Sequence, residues 1–120
     1  MAERPAVQHI DDANGRTIGY KWYTVTSATS DTCAAVRITD FDDVTLSISG
    51  TVGGSSTALK ISNDTDSASV YFPAKDANTA VAVALTATET AALVSEVGVW
   101  YKPVVTDGSA QDLDISLVAK

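Results

Sequence analysis

The clearest strand pattern in this chain runs from Val44 to Asp64 and is VTLSISGTVGGSSTALKISND. Apolar and hydroxyl residues alternate from Val44 to Ser49, and a second alternating run follows the pair Gly53-Gly54. Alternation with period two is typical of a strand with one buried face and one solvated face. Glycine permits the positive φ angles of a tight turn. The stretch therefore predicts a β-hairpin whose outer face carries Ser and Thr.

Strand patterns of the same kind fill the rest of the chain from Ile18 onward. Turn-forming residues separate about eight short segments, which is typical of a sandwich, a jelly roll or a barrel. We therefore predict an all-β fold, an antiparallel β-sandwich or jelly roll. The predicted strands are Ile18–Thr26, Ala34–Thr39, Val44–Gly50, Ala58–Asn63, Ser69–Phe72, Ala80–Leu85, Val97–Val105 and Leu113–Val118.

One segment has a helical pattern. Thr86 and Glu89 have the spacing of a capping box, in which each side chain satisfies a backbone donor at the start of a helix. The sequence predicts at most one short helical turn here, continuing over residues 87–94. The alternative is a plain crossover loop.

The first residues of the chain differ from the rest. Residues 1–17 are polar and contain Pro5 and Gly15, so they cannot bury enough surface to fold alone. We predict that residues 1–17 form an extended N-terminal arm, mobile or lying on a neighbour, and that residues 18–120 form a single domain. In the strand that follows, Trp22 and Tyr23 point to opposite sides, so one of them should meet another element or another subunit. The predicted interface residues are Arg4, Pro5, Val7, His9, Ile10, Trp22 and Tyr23.

Composition limits the possible partners. The chain has 120 residues and a formal net charge of -7, which favours one domain and disfavours direct binding to nucleic acid. No stretch approaches the length of about 20 apolar residues that a transmembrane helix needs. The N-terminus lacks the apolar region of a signal peptide, so we expect synthesis in the cytoplasm and no membrane partner.

The residues offer little catalytic chemistry. His9 is the single histidine and lies far along the chain from any strand-borne nucleophile, so no Ser or Cys triad is predicted. The single cysteine, Cys33, is best explained as a small semi-buried apolar side chain, with a reactive thiol as the alternative. The acidic clusters at residues 40–43 and 63–66 are best explained as turns, with a loop calcium site as the alternative. We predict no catalytic residues, no cofactor and no metal.

Two pairs of segments follow a pattern of hairpin glycines and alternating strands: Ser49–Gly54 with Leu59–Asp64, and Val99–Gly108 with Leu113–Leu117. This pattern resembles that of small β-sandwich virion proteins of tailed bacteriophages. The resemblance covers roughly Val44 to Val118. Proteins of this kind decorate or cement capsids, or belong to tails.

The resemblance implies a capsid decoration or cement protein that binds between capsomers on the virion surface. The expected partners are the major capsid protein and further copies of the chain, as a homotrimer. One alternative is a component of the tail or of a head fibre that binds the host surface, where the exposed aromatic residues Trp100 or Tyr23 would stack on sugars. The other is a non-viral carbohydrate-binding β-sandwich module or a cytosolic β-sandwich enzyme.

Overall fold

The computed structural model describes residues 2–11, 17–26, 31–39, 41, 43–63, 71–87, 89–95, 98–106 and 111–120. These residues form eleven strands and no helix, which confirms the all-β prediction. The strands are β1 (Ala2–Arg4), β2 (Val7–Asp11), β3 (Ile18–Val25), β4 (Asp31–Cys33), β5 (Val36–Arg37), β6 (Val44–Thr51), β7 (Ser56–Ser62), β8 (Phe72–Pro73), β9 (Thr90–Val94), β10 (Trp100–Thr106) and β11 (Asp112–Ala119).

Two antiparallel sheets make up the body of the protein. The larger has five strands in the order β2-β3-β11-β6-β9, and the smaller has four in the order β5-β10-β7-β8. Their inner faces contribute to one hydrophobic core, in which Leu46 and Ile115 of the first sheet and Leu59 and Tyr101 of the second are fully buried. This arrangement is the predicted antiparallel β-sandwich, and the jelly-roll alternative stays a prediction.

The predicted hairpin at Val44–Asp64 is wrong in its pairing. Strand β6 lies between β11 and β9 in the five-stranded sheet, whereas β7 lies between β10 and β8 in the other. The glycine turn itself is present, since Gly53 and Gly54 have φ of 58° and 79° and the Ser55 amide donates to the Val52 carbonyl at 3.0 Å. The turn therefore carries the chain from one sheet to the other. Alternation shows that each strand has a buried face, but it does not specify which strand pairs with which.

The predicted helical turn after Thr86 is also wrong. Residues Thr90–Val94 form β9, which pairs with β6 along its length. Ala92 and Val94 are buried while Ala91 and Leu93 are exposed, so this segment alternates with period two once it is paired. Pairing with a strand edge outweighs the weak helix propensity of a short Ala-rich segment.

Residues 72–85 cover one side of the sandwich. Strand β8 pairs with β7 in the four-stranded sheet, while Asp76 forms a β-bridge with Val94 in the five-stranded sheet. The predicted strand Ala80–Leu85 is not a continuous strand, because only Ala82 and Leu85 form isolated bridges there. The predicted strand ends at Ser69 and Val97 lie outside the described residues.

The N-terminal segment covers the other side. Its described residues 2–11 form two strands that pair with strands of the same chain, and the predicted arm of residues 1–17 stays a prediction. Strand β2 adds to β3 at the edge of the five-stranded sheet, and β1 pairs in parallel with β4. Strands β1 and β4 form a separate two-stranded sheet, and β5, which follows β4, joins the four-stranded sheet.

Candidate functional site

The outer face of the five-stranded sheet is the surface on which most of the predicted interface residues lie. Along each strand of this sheet, side chains that point to the outer face alternate with side chains that point into the core. Three exposed large apolar residues belong to it, Val7 and Tyr23 near one edge and Leu93 near the other. Between them lie the small side chains of Thr45, Ser47, Ser116 and Val118, together with the charged side chains of Lys21 and Asp114. The face is therefore a broad surface with apolar residues at its two ends.

A β-bulge places Tyr23 on this face. Trp22 pairs with Ile115 and Val25 with Leu113, so that Tyr23 and Thr24 together lie opposite Asp114. Thr24 has a φ of 57°, and its amide donates to the Asp114 carboxylate at 3.0 Å. Because the bulge adds one residue, both Trp22 and Val25 point inward and Tyr23 points outward.

Trp22 is therefore not an interface residue. Its side chain is fully buried, and its Nε1–H donates to the Ala34 carbonyl at 2.9 Å. The sequence shows that Trp22 and Tyr23 face opposite ways, and the structure decides which of them is in the core. The prediction that Trp22 contacts a partner is wrong for this fold, while Tyr23 is free to make such a contact at 44% exposure.

Tyr23 lies in a patch with residues of β2. Val7 is directly opposite Lys21, and the Lys21 ammonium lies 5.1 Å from the centre of the Tyr23 ring. His9 packs over Gly19, where a Cβ atom would lie 2.9 Å from His9 Cε1. Together with half-buried Ile10, these residues form what we call the apolar corner: Val7, His9, Ile10 and Tyr23.

Arg4 has an intramolecular role. Its Nη2 and Nε donate to Asp31 Oδ2 at 2.9 and 3.2 Å, and the Asp31 side chain is only 6% exposed. The amide and hydroxyl of Thr26 donate to the same oxygen at 3.0 and 3.1 Å. Arg4 thus fixes β1 beside β4, whereas its neighbour Pro5 is exposed.

A shallow depression of about 450 Å³ lies at the opposite end of this face. Its lining residues are Asp43, Thr45, Leu93, Val118 and Lys120. Asp43 and Lys120 hold their main chains together by two hydrogen bonds of 3.0 and 2.8 Å. The depression is wide and open, so it suits a contacting side chain better than an enclosed small molecule.

Within the described ranges, no group of three or more His, Cys, Asp or Glu side chains is placed to hold a metal ion. The acidic residues Asp40, Asp42, Asp64 and Asp66, to which the calcium alternative applies, lie outside those ranges. Nor does the described part of the chain contain a helix long and apolar enough to cross a membrane.

Cys33 lies in the core at the end of β4. Burial raises the pKa of its thiol to about 12, and the positive charge of Lys102 offsets this only in part. Since the thiolate is the reactive form, we expect the native protein to resist a thiol reagent such as DTNB at mildly alkaline pH and to react after addition of denaturant. Rapid labelling of the native protein would contradict the buried placement of Cys33.

No protein-family model matches the chain, and comparisons with curated proteins and with solved structures also found no match.

Proposed function

We propose that this chain is a structural protein of a tailed-phage virion that decorates or cements the capsid by binding between capsomers. The proposal takes its biological setting from the resemblance of Val44–Val118 to small phage virion proteins. The observation that carries it is the outer face of the five-stranded sheet, where small side chains lie between exposed apolar residues. Apolar residues grouped on an exposed surface mark a protein–protein contact.

In this proposal the apolar corner contacts a second copy of the chain within a homotrimer. Tyr23 has the aromatic character that is enriched at interface centres, and the cation–π contact with Lys21 orients its ring. The trimer then binds the major capsid protein at several points. Repeated weak contacts become strong when one assembly makes them together.

Self-association is tested by the double substitution Val7→Ser and Tyr23→Ser. We expect it to weaken association by about tenfold or more, because truncated aromatic interface residues carry much of the binding energy. Sedimentation velocity over a concentration series measures the effect. The matched control is Val81→Ser, since Val81 is 64% exposed and lies in the segment between the sheets, away from the corner. A wild-type protein that remains monomeric at every concentration would contradict the trimer.

Capsid binding needs a separate experiment. A gene for a major capsid protein should lie near the gene for this chain, and shells assembled from that protein should carry the chain to the pellet on centrifugation. A deletion of residues 2–15 is a poor test of capsid binding, because it removes β1 and β2 from the sheets. The substitutions Val7→Ser and Tyr23→Ser change the surface without removing a strand. The absence of the neighbouring gene, or shells that sediment without the chain, would overturn the proposed function.

A further inference from the structure

The outer face of the four-stranded sheet has a different chemistry from the face described above. Arg37, Lys60 and Lys102 point outward there, so three of the chain's eight Lys and Arg residues share one small surface. Trp100 belongs to β10, the strand between β5 and β7. It is the cross-strand partner of Arg37 and lies on the same side of the sheet. We call the surface of Arg37, Lys60 and Lys102 the cationic face.

Two of these charges oppose each other directly. Lys102 of β10 is the cross-strand partner of Lys60 of β7, and both side chains are half-buried on the outer side of the sheet. Like charges in this position destabilise a sheet. The Lys102 ammonium lies 5.8 Å from the centre of the Tyr71 ring, which does not neutralise the charge. Among the described residues, the ion pair that forms is Arg4–Asp31, and it involves none of the three cations.

In the part of the chain that the structure describes, no carboxylate forms an ion pair with Lys60 or Lys102, and an external anionic group would relieve the repulsion between them. Sequences that fold well break local rules of this kind mainly at functional sites. The opposite face of the sandwich carries both signs of charge, with Asp112 and Asp114 as well as Lys21 and Lys120 beside its small hydroxyl side chains. The two faces thus differ in charge, because the described outward strand positions of the cationic face include no carboxylate.

We propose that the cationic face docks on an acidic patch of a partner protein. A nucleic acid or an anionic membrane is an extended array of charge, and a chain of net charge -7 is repelled by such an array beyond the immediate contact. Three cations suit a local cluster of carboxylates better, and Ala58 and Val104 beside them supply apolar surface for a protein contact. The inference rests on the proposed function for the existence of a protein partner, but not for the sign of its charge.

The test uses a tetraglutamate peptide with blocked ends as the acidic probe, because it is a local cluster of carboxylates, and binding is measured at low ionic strength by isothermal titration calorimetry. The double variant Lys60→Gln with Lys102→Gln should bind about tenfold more weakly than wild type, because two charge contacts are lost. The control variant Lys120→Gln removes one cation from the opposite face and should bind within about twofold of wild type, whereas the single variant Lys102→Gln should bind about threefold more weakly. The first variant should melt at the same temperature as wild type or higher, since it removes the Lys60–Lys102 repulsion.

Three results would overturn the inference: no binding of tetraglutamate to wild type, equal weakening in Lys102→Gln and Lys120→Gln, or tighter binding of duplex DNA, heparin or anionic vesicles at the same salt concentration. These results are independent of the shell experiment. A chain that binds tetraglutamate through the cationic face but fails to sediment with capsid shells would overturn the proposed function and leave the face assignment in place.

Discussion

Replacing Trp22 with alanine should lower the free energy of unfolding by about 3–5 kcal/mol, because a fully buried Trp leaves a large cavity. The loss should include the hydrogen bond from Trp22 Nε1 to the Ala34 carbonyl, which joins β3 to the segment after β4. Urea denaturation followed by circular dichroism measures the change. Loss of this size would leave a typical domain of this length close to unfolding.

The neighbouring residue provides the matched control. Tyr23→Ala removes a side chain of similar size that is 44% exposed, and it should cost less than about 1 kcal/mol. A third variant, Trp22→Phe, keeps most of the volume and removes the donor, and it should cost about 1–3 kcal/mol because the Ala34 carbonyl loses its partner. Equal losses for Trp22→Ala and Tyr23→Ala would contradict the bulge that sends the two side chains to opposite faces.

Gly50→Ala should be the second strongly destabilising change. Gly50 has a φ of 102°, which a residue with a side chain rarely adopts, and a Cβ there would overlap the Asp112 carbonyl oxygen. Since that oxygen belongs to the backbone of β11, the two strands must separate or shift to admit the methyl group. We expect a loss on the order of 3 kcal/mol or more, from backbone strain together with the disrupted pairing.

Gly54→Ala separates these two causes. Gly54 also has a positive φ, 79°, but nothing lies within 4 Å of a Cβ built on it. It should therefore show the cost of the left-handed backbone alone, about 1–2 kcal/mol. Chemical denaturation of both variants measures the difference. A Gly50→Ala protein no less stable than Gly54→Ala would contradict the close approach of β6 and β11.

In strands with a clean alternation of apolar and polar residues, the sequence predicts correctly which side chains are buried. Val44, Leu46 and Ile48 are buried as their alternation predicts, and so are Leu113, Ile115 and Leu117. The rule fails at Val81, which shares the parity of buried Val83 and Leu85 but is 64% exposed. Ala80 has a φ of 58° and lies in a bend, so the alternation is interrupted just before Val81.

The candidate surfaces were only partly predictable. Val7 on β2 and Tyr23 on β3 lie near one edge of the five-stranded sheet. Both side chains are exposed, so a partner protein can reach them. The cationic face has a signal in the sequence, since Lys60 and Lys102 each occupy an outward position of an alternating strand. What the sequence does not show is that these two positions are cross-strand partners, because β7 and β10 are about forty residues apart and their register depends on the whole sheet.

Local sequence patterns are sufficient to establish that this protein is all-β, where most of its strands run and which side chains face the core in the strands that alternate cleanly. Those properties follow from residue-by-residue alternation and from glycines that permit a turn. Three further properties appear only in the assembled fold: the stretch Val44–Asp64 joins two sheets, Thr90–Val94 is a strand, and Trp22 is buried while Tyr23 is exposed. These properties depend on pairing, register and bulges, which arise from contacts between distant segments and are not encoded by a local pattern.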